Sequence, residues 1–313
     1  MPHDRLDAHL RALVDSGGSD LHVKVGSPPR IRVDGTLQRL DEPDLSANEV
    51  AEMAEAIMTP KATARFTDGF DADFAYAIPG LGRFRVNAFR QRGSVTMILR
   101  HVRSATASFE ELGLPEVCGR LALEHRGLVL VTGPTGSGKT TTLAAMIDHI
   151  NKSRECHIVT IEDPIEVLHS DHLASINQRE IGVDAQDFAT AMRAAMRQDP
   201  DVILVGEMRD EETVAAALSA AETGHLVLST LHTIDAAETV NRIVDFFPPH
   251  QQNQVRVALA GSIKGTICQR LVPRADGQGR CVAMEVCVAT GRIADAIADP
   301  DKTGTISELI KEG

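Results

Sequence analysis

Residues 128–141 read Leu128-Val129-Leu130-Val131-Thr132-Gly133-Pro134-Thr135-Gly136-Ser137-Gly138-Lys139-Thr140-Thr141, an apolar strand that runs into G-x-x-x-x-G-K-T and then into a helix. This order of strand, loop and helix is the expected context of a phosphate-binding P-loop. The glycines let consecutive backbone N–H groups point at phosphate oxygens, and the helix places its positive end on the same anion. A plain glycine-rich turn is the alternative, and the Lys-Thr pair between loop and helix argues against it.

The loop therefore predicts a nucleotide site with assignable contacts. We expect the stretch from Gly133 to Thr141 to bind ATP. The Lys139 ammonium can reach the β- and γ-phosphates, and the Thr140 hydroxyl can ligate Mg²⁺.

Composition narrows the possible functions. The 313 residues allow two domains, and the formal net charge of −12 repels nucleic acid and anionic lipid. Nine Phe, one Tyr and no Trp argue against base stacking on single strands. The five cysteines contain no C-x-x-C pair, which disfavours zinc or disulfides. Without a membrane-length apolar run or a signal peptide, we expect a cytoplasmic protein.

The first hundred residues predict a compact α+β domain over 1–103. Ser46 and Glu49 form a capping box that starts a helix, and strands are expected near 71–78, 82–91 and 94–101. The small, polar segment 104–114 has the composition of a linker.

Residues 115–313 predict an α/β domain. Apolar strands are expected near 127–132, 157–161, 202–205 and 225–231, and helices near 139–150, 186–196, 211–223 and 236–246. Short apolar strands that alternate with helices indicate a parallel sheet covered on both faces. Ligands of such sheets bind beyond the carboxyl ends of the strands.

Polar side chains follow three of these strands. Glu162, Asp163 and Glu166 follow the second, Glu207 follows the third, and His232 follows the fourth. In a parallel sheet these ends converge on the P-loop, where carboxylates can hold Mg²⁺ or orient water and a histidine can sense the γ-phosphate. A solvated strand end explains each of them singly, but not all three beside one P-loop.

Two positions in this set need separate interpretation. Gly206 stands where the strand before Glu207 commonly ends in Asp, so Glu207 must face the metal and Glu166 is the best-placed group to activate water. His225 begins its strand, on the far side from the P-loop, and a structural hydrogen-bonding role explains it equally well.

A basic island extends from Phe74 to Phe109, a stretch without Asp or Glu. Its arginines are Arg83, Arg85, Arg90, Arg92, Arg100 and Arg103. The island suits a nucleic-acid face, arginines offered in trans to a neighbouring subunit's nucleotide, or simply solvated strands. The lack of interleaved exposed aromatic residues weakens the first of these interpretations.

The combined motifs resemble the secretion-superfamily ATPases, and within them the type IV pilus retraction branch. The resemblance is carried by the P-loop, by Thr160-Ile161-Glu162-Asp163-Pro164-Ile165-Glu166, by the stretch from Arg197 to Asp210, and by Thr223-Gly224-His225-Leu226 through Thr233. The opening Ser19-Asp20-Leu21-His22 also matches that branch.

The resemblance implies a PAS-like domain followed by a RecA-like ATPase domain. It implies a homo-hexameric, Mg²⁺-dependent ATP motor for pilus retraction and twitching motility. The motor would act at the inner face of the cytoplasmic membrane, on a pilus platform protein and without nucleic acid.

The family's functional residues fall on positions already singled out. Glu166, with Glu162 beside the nucleotide, belongs to the acidic box, and Glu207 is the Walker B glutamate. His225 and His232 form the histidine box. Arg85 and Arg100 fall where the family places its trans-acting arginines.

Some features depart from the retraction pattern. Retraction enzymes carry Ala-Ile-Arg-Asn-Leu-Ile near the C-terminus, whereas the matching stretch from Arg292 to Ile297 lacks the internal Arg, and the sequence stops at Gly313. Assembly and type II secretion ATPases usually carry a further N-terminal domain and a four-cysteine motif. This sequence shows neither, which favours retraction; a nucleic-acid translocase and a non-hydrolysing regulator are further alternatives.

Overall fold

The computed structural model describes residues 2–102, 107–275 and 279–312, and the chain divides into two compact units, residues 1–104 and 105–313. The predicted domain limits stay predictions, because Arg103 and residues 104–106 of the expected linker lie outside the described residues. The described end of that linker is partly helical, since Ser108 caps a short helix, Phe109–Leu112, through the backbone N–H of Glu111.

The first unit is an α+β structure. Its elements in chain order are α1 (Pro2–Asp15), β1 (Asp20–Lys24), β2 (Arg30–Val33), β3 (Thr36–Arg39), α2 (Ala47–Ile57), α3 (Pro60–Gly69), β4 (Asp71–Ile78), β5 (Gly82–Gln91) and β6 (Ser94–Val102). The predicted strands at 71–78 and 82–91 and the capping box at Ser46 are confirmed. Helix α3 was not predicted, although Thr59 and Pro60 supply its N-cap and first residue.

The strands of this unit form an antiparallel sheet in the order β3-β2-β1-β6-β5-β4. Alternation along β5 buries Phe84, Val86 and Ala88 in the core, so Arg83 and Arg85 point to the opposite face. Arg85 lies directly across from Arg100 of β6.

The second unit contains the remaining elements. They are α4 (Phe109–Leu112), α5 (Glu116–Ala122), β7 (Gly127–Thr132), α6 (Lys139–Ser153), β8 (His157–Glu162), β9 (Ser175–Glu180), α7 (Phe188–Ala195), β10 (Val202–Val205), α8 (Glu211–Glu222), β11 (Leu226–Leu231), α9 (Ala236–Asp245), α10 (Pro249–Ser262), β12 (Ile263–Pro273), β13 (Arg280–Val288), α11 (Gly291–Ala298) and α12 (Ile306–Glu312), with a 3₁₀ turn at Thr303–Thr305. This confirms the α/β prediction for the unit.

The sheet of the second unit has the strand order β13-β12-β7-β11-β10-β8-β9. Its neighbours are parallel except for β13, which pairs antiparallel with β12 at the edge. All residues of β7, β10 and β11 are buried, as expected for strands covered on both faces. The sheet therefore brings the carboxyl ends of β7, β8, β10 and β11 to one edge.

Within the described ranges, no helix is both long enough and apolar enough to cross a membrane. The apolar residues are instead used in the two units themselves. Helices of the second unit pack on both faces of its sheet, in two separate buried clusters.

Candidate active site

The loop between β7 and α6 has the backbone that phosphate binding requires. Gly133, Gly136 and Gly138 have φ values of 142°, 77° and 90°, which residues with a Cβ adopt only under strain. A Cβ on Gly133 would lie 2.3 Å from the backbone oxygen of Gln269. Only glycine fits at this position.

The start of α6 offers unused hydrogen-bond donors. Its N-cap is Gly138, and no side chain caps the first turn. The buried Oγ of Ser137 has no hydrogen-bond partner among the described residues. Since an orphaned donor beside an uncapped helix end matches the needs of a phosphate, these residues fit a nucleotide tail.

Lys139 lies over the loop. Its Nζ donates to the backbone oxygens of Gly133 (2.8 Å) and Pro134 (3.2 Å). Burial lowers the pKa of Lys139 from its ordinary value, while the negative charge of Glu207 acts the other way. Both contacts are with neutral carbonyl oxygens, so the ammonium can turn toward an arriving anion.

The strand ends converge on one cleft beside this loop. The cleft has a volume of about 710 Å³ and is lined by Thr135, Gly136, Gly138, Lys139, Thr140, Thr141, Leu143, Ala144, Thr160, Glu162, Asp163, Pro164, Glu166, Val167, His169, Phe188, Leu204, Gly206, Glu207, Arg209, Thr230, His232, Leu271 and Arg280. The predicted carboxylates, His232 and the P-loop thus share one cavity.

Glu207 is held between two basic side chains. Arg209 forms an ion pair with its Oε1, and His232 Nε2 lies 3.8 Å from its Oε2. Hydrogen bonds of β11 side chains to the end of β10 fix the position of this segment: Ser229 Oγ donates to Val205 O (2.8 Å) and Thr230 Oγ1 donates to Gly206 O (2.7 Å).

Glu162 is held at the end of β8. Its Oε1 accepts hydrogen bonds from Thr160 Oγ1 (2.6 Å) and Gln178 Nε2 (3.1 Å). Burial raises the pKa of Glu162 from its ordinary value, against these hydrogen bonds. Glu166, four residues further along, is exposed at the cleft.

The structure gives a steric reason for Gly206. A Cβ there would lie 3.3 Å from the backbone oxygen of Ile161 and 3.5 Å from Cα of Glu162. Glycine lets the end of β10 pass close to the carboxylate-bearing end of β8.

His225 is not in the cleft. It precedes β11, at the opposite end of the sheet from the P-loop, and its Nδ1 donates to the backbone oxygen of Ala220 at 3.0 Å. The prediction that His225 binds nucleotide is therefore not supported within this chain, and the structural alternative describes its contacts. His225 precedes β11 and His232 follows it, so the two histidines are separated by the length of that strand.

Sequence reasoning missed His169, which lines the cleft, and Gln178, which supports its acidic loop. Gln178 fixes the acidic loop by donating to Glu162 and to Val167 O (2.9 Å) and by accepting from His169 N (2.9 Å). Burial lowers the pKa of His169 to about 4, so its imidazole is neutral at pH 7. No sequence signal could have found Gln178, because the strand that carries it, β9, was not predicted.

Magnesium would have few protein ligands in this cleft. No cluster of three His, Cys, Asp or Glu side chains that could hold a metal ion occurs in the described part of the chain. The Thr140 hydroxyl and the Glu207 carboxylate supply hard oxygen donors in the same cavity. This fits Mg²⁺, which keeps waters and phosphate oxygens as its other ligands.

The basic island divides between the two faces of the first unit. Arg90 stacks over the Phe66 ring at 5.1 Å. Arg85 and Arg100 are exposed on the opposite, open face of the sheet, and Arg100 Nε donates to Asp20 Oδ1 at 2.7 Å. Because Asp20 binds only one edge of that guanidinium, 67% of the Arg100 side chain stays exposed.

Comparison with known proteins gives the family. Residues 3–305 match the family described as Type II/IV secretion system protein. The chain belongs to this family.

Relatives within the secretion ATPase family resemble the chain over most of its length. It is 46% identical over 297 residues to the type IV pilus retractation ATPase PilT of Pseudomonas aeruginosa, covering 95% of this chain and 86% of that one. It is 45% identical to the twitching motility protein of Neisseria gonorrhoeae, covering 91% and 76% of the two chains. The chain is thus a PilT-like member of the family.

A solved structure agrees with the fold. A crystal structure of the pilus retraction motor PilT with bound ADP aligns with a TM-score of 0.89 and 45% identity, over 97% of this chain and 88% of that one. The likeness confirms a RecA-like ATPase domain preceded by a smaller N-terminal domain.

The raised pKa of Glu162 predicts how its replacement changes stability with pH. Above its ordinary pKa of 4.5, the unfolded chain loses this proton before the folded chain does. Ionisation therefore opposes folding, and this group's contribution to the free energy of unfolding falls from pH 4.5 up to the raised pKa. Glu162→Gln keeps the acceptor for Thr160 and Gln178 without the charge.

We expect Glu162→Gln to melt at a higher temperature than the wild type at pH 7 without nucleotide. The difference should disappear as the pH falls below 4.5, where the wild-type carboxyl becomes protonated in both states. Exposed Glu155 is the control, and Glu155→Gln should show no such trend. A difference in melting temperature between Glu162→Gln and the wild type that does not change with pH would contradict the raised pKa of Glu162.

Proposed function

We propose that this protein is a Mg²⁺-dependent ATPase that works as a homo-hexameric motor for type IV pilus retraction. The observation that supports it best is the shared cleft, in which the P-loop faces Glu162, Glu166, Glu207 and His232. The family and the PilT likeness support the motor role. The site of action would be the inner face of the cytoplasmic membrane, on a pilus platform protein.

The residues of the cleft have separate roles in the proposed hydrolysis of ATP. The N–H groups of the P-loop bind the phosphates, and Lys139 leaves its carbonyl contacts to neutralise their charge. Thr140 and Glu207 would hold Mg²⁺, which would supply positive charge to neutralise the phosphates. His232, whose Nε2 lies 3.8 Å from Glu207 Oε2, can hydrogen-bond to the γ-phosphate and so link its presence to the position of that carboxylate.

Glu166 is proposed to accept the proton of the attacking water. It is exposed at the cleft, whereas Glu162 is engaged by Thr160 and Gln178. We therefore give Glu162 a positioning role beside the nucleotide.

Arg85 and Arg100 are proposed to reach the nucleotide of a neighbouring subunit. They lie opposite each other on the open face of the first unit's sheet, with exposed guanidinium groups. An arginine that meets the γ-phosphate only when a ring interface closes would couple hydrolysis to domain movement. The net charge of −12 argues against nucleic acid as the alternative partner of these arginines.

We predict that Glu166→Gln and Glu207→Gln each stop ATP turnover but leave ATP binding nearly intact. Loss of a positioned base costs about 10²–10⁴ in rate, whereas the P-loop contacts that bind the phosphates remain. Phosphate release and nucleotide affinity should be measured on the same preparations, with exposed Glu155→Gln as the matched control. Wild-type turnover in Glu166→Gln would move the base to Glu162 or Asp163.

We predict that two inactive variants restore activity when mixed. Arg85→Ala keeps its P-loop and Lys139→Ala keeps its arginines, and each alone should be nearly inactive, since arginine fingers contribute about 10³–10⁵ in turnover. In randomly mixed rings, about one quarter of the heterologous interfaces unite an intact P-loop with an intact arginine. Turnover should recover to at most that fraction.

The mixing experiment needs proof that subunits exchange, for example by energy transfer between labelled chains. Exchange without recovered turnover would count against sharing of the site. Strong activity of Arg85→Ala alone would leave the arginines to a surface role.

The cellular role is tested in a strain that lacks the protein. Retraction predicts that deletion abolishes twitching while pili persist and lengthen, and that the wild type restores twitching but Lys139→Ala does not. Complete loss of pili would instead identify an assembly ATPase. Fluorescence imaging of labelled pili and a subsurface motility assay provide the two readouts.

A further inference from the structure

Strand β12 carries a buried polar residue that the proposed mechanism does not use. Gln269 is 2% exposed. Its Nε2 donates to the backbone oxygen of Ser137 (2.7 Å), and its Oε1 accepts from Thr142 Oγ1 (2.9 Å). Because the Ser137 carbonyl can only accept, this contact fixes which end of the amide is the nitrogen.

Gln269 also contacts the glycines at both ends of the loop. A Cβ on Gly133 would lie 2.3 Å from the backbone oxygen of Gln269, and a Cβ on Gly138 would lie 3.2 Å from its Nε2. Thr142 belongs to the first turn of α6. One residue of β12 therefore touches the start of the loop, its end and the helix that follows.

The bond to Ser137 determines the orientation of a peptide group in the loop. In a trans peptide, the carbonyl of one residue and the N–H of the next point in opposite directions. With the Ser137 oxygen turned toward Gln269, the N–H of Gly138 must point away from β12. Gly138 is the N-cap of α6, whose first turn has no side-chain cap, so the direction of this N–H matters for phosphate binding.

We propose that Gln269 is a positioning residue that holds the Ser137–Gly138 peptide in the orientation that binds nucleotide phosphate. This inference rests on the proposed nucleotide function. The contact supports the loop alike with substrate and in the transition state, so its loss weakens uniform binding: KM rises more than kcat falls. A residue that only stabilised the core would not produce that split.

Two variants separate the hydrogen bond from the shape of the side chain. Gln269→Met removes the donor at similar length and without charge. Gln269→Glu keeps the acceptor for Thr142 but places an oxygen against the Ser137 oxygen. We expect Gln269→Met to raise the KM for ATP and the dissociation constant of a fluorescent ADP by about tenfold, with kcat within about threefold of the wild type.

The pH profile of Gln269→Glu adds a readout specific to the contact. A protonated carboxyl can donate to the Ser137 oxygen, whereas an ionised one cannot. The ratio of its KM to the wild-type KM should therefore fall as the pH decreases from about 8 to about 6, a range open to a buried carboxyl. A ratio that is constant over this range would count against the proposed donor role.

Ile267→Val is the matched control for a loss of packing on the same strand. Ile267 is fully buried and belongs to an apolar cluster, not to the P-loop. It should lower the melting temperature without changing KM. The proposal is overturned if Gln269→Met leaves KM and ADP affinity within about twofold of the wild type, or if Ile267→Val changes them equally.

The experiment also distinguishes this inference from the proposed function. If the wild type does not hydrolyse ATP, the proposed function fails, but the affinities for fluorescent ADP still test Gln269. If the wild type hydrolyses ATP and Lys139→Ala does not, while Gln269→Met binds normally, only the role of Gln269 is refuted.

Discussion

The burial of β7 between two parallel neighbours is the constraint on which the site depends. Each residue of β7 is buried, and the strand pairs with β11 on one side and β12 on the other. A strand that is paired on both edges and buried on both faces can pair with its neighbours in only one register. The loop that follows it is therefore delivered to a fixed point, beside the ends of β8 and β10.

Several charged side chains lie close together at this point, and each is stabilised by short polar contacts. Lys139 donates hydrogen bonds to two carbonyl oxygens, and Glu207 forms an ion pair with Arg209. Glu162 accepts hydrogen bonds from Thr160 and Gln178. Each contact satisfies a charge that is partly removed from water, where an unpaired one would be costly. The same contacts are exchangeable, which a nucleotide site needs, since the phosphates and their counterion must displace them.

The two units divide the proposed chemistry. The first unit hides its apolar residues on one face of an antiparallel sheet, so the other face is free to carry Arg85 and Arg100. The second unit holds the P-loop and the carboxylates. In the proposed arrangement, the arginines of one subunit would meet the nucleotide of its neighbour only when a ring interface closes, which would couple hydrolysis to movement.

Local patterns in the sequence were enough to predict the P-loop, the strand-end carboxylates and many of the helices and strands: glycines before Lys139, apolar runs, and the capping box at Ser46. The sequence did not reveal the antiparallel β12–β13 edge or the contacts of Gln178 and Gln269. Nor could it decide between the two roles of His225, whose hydrogen bond to the backbone oxygen of Ala220 is seen only in the structure. These depend on which strands become neighbours. Residues as distant as Ser137 and Gln269 meet only when the sheet is assembled, and no local spacing records that pairing.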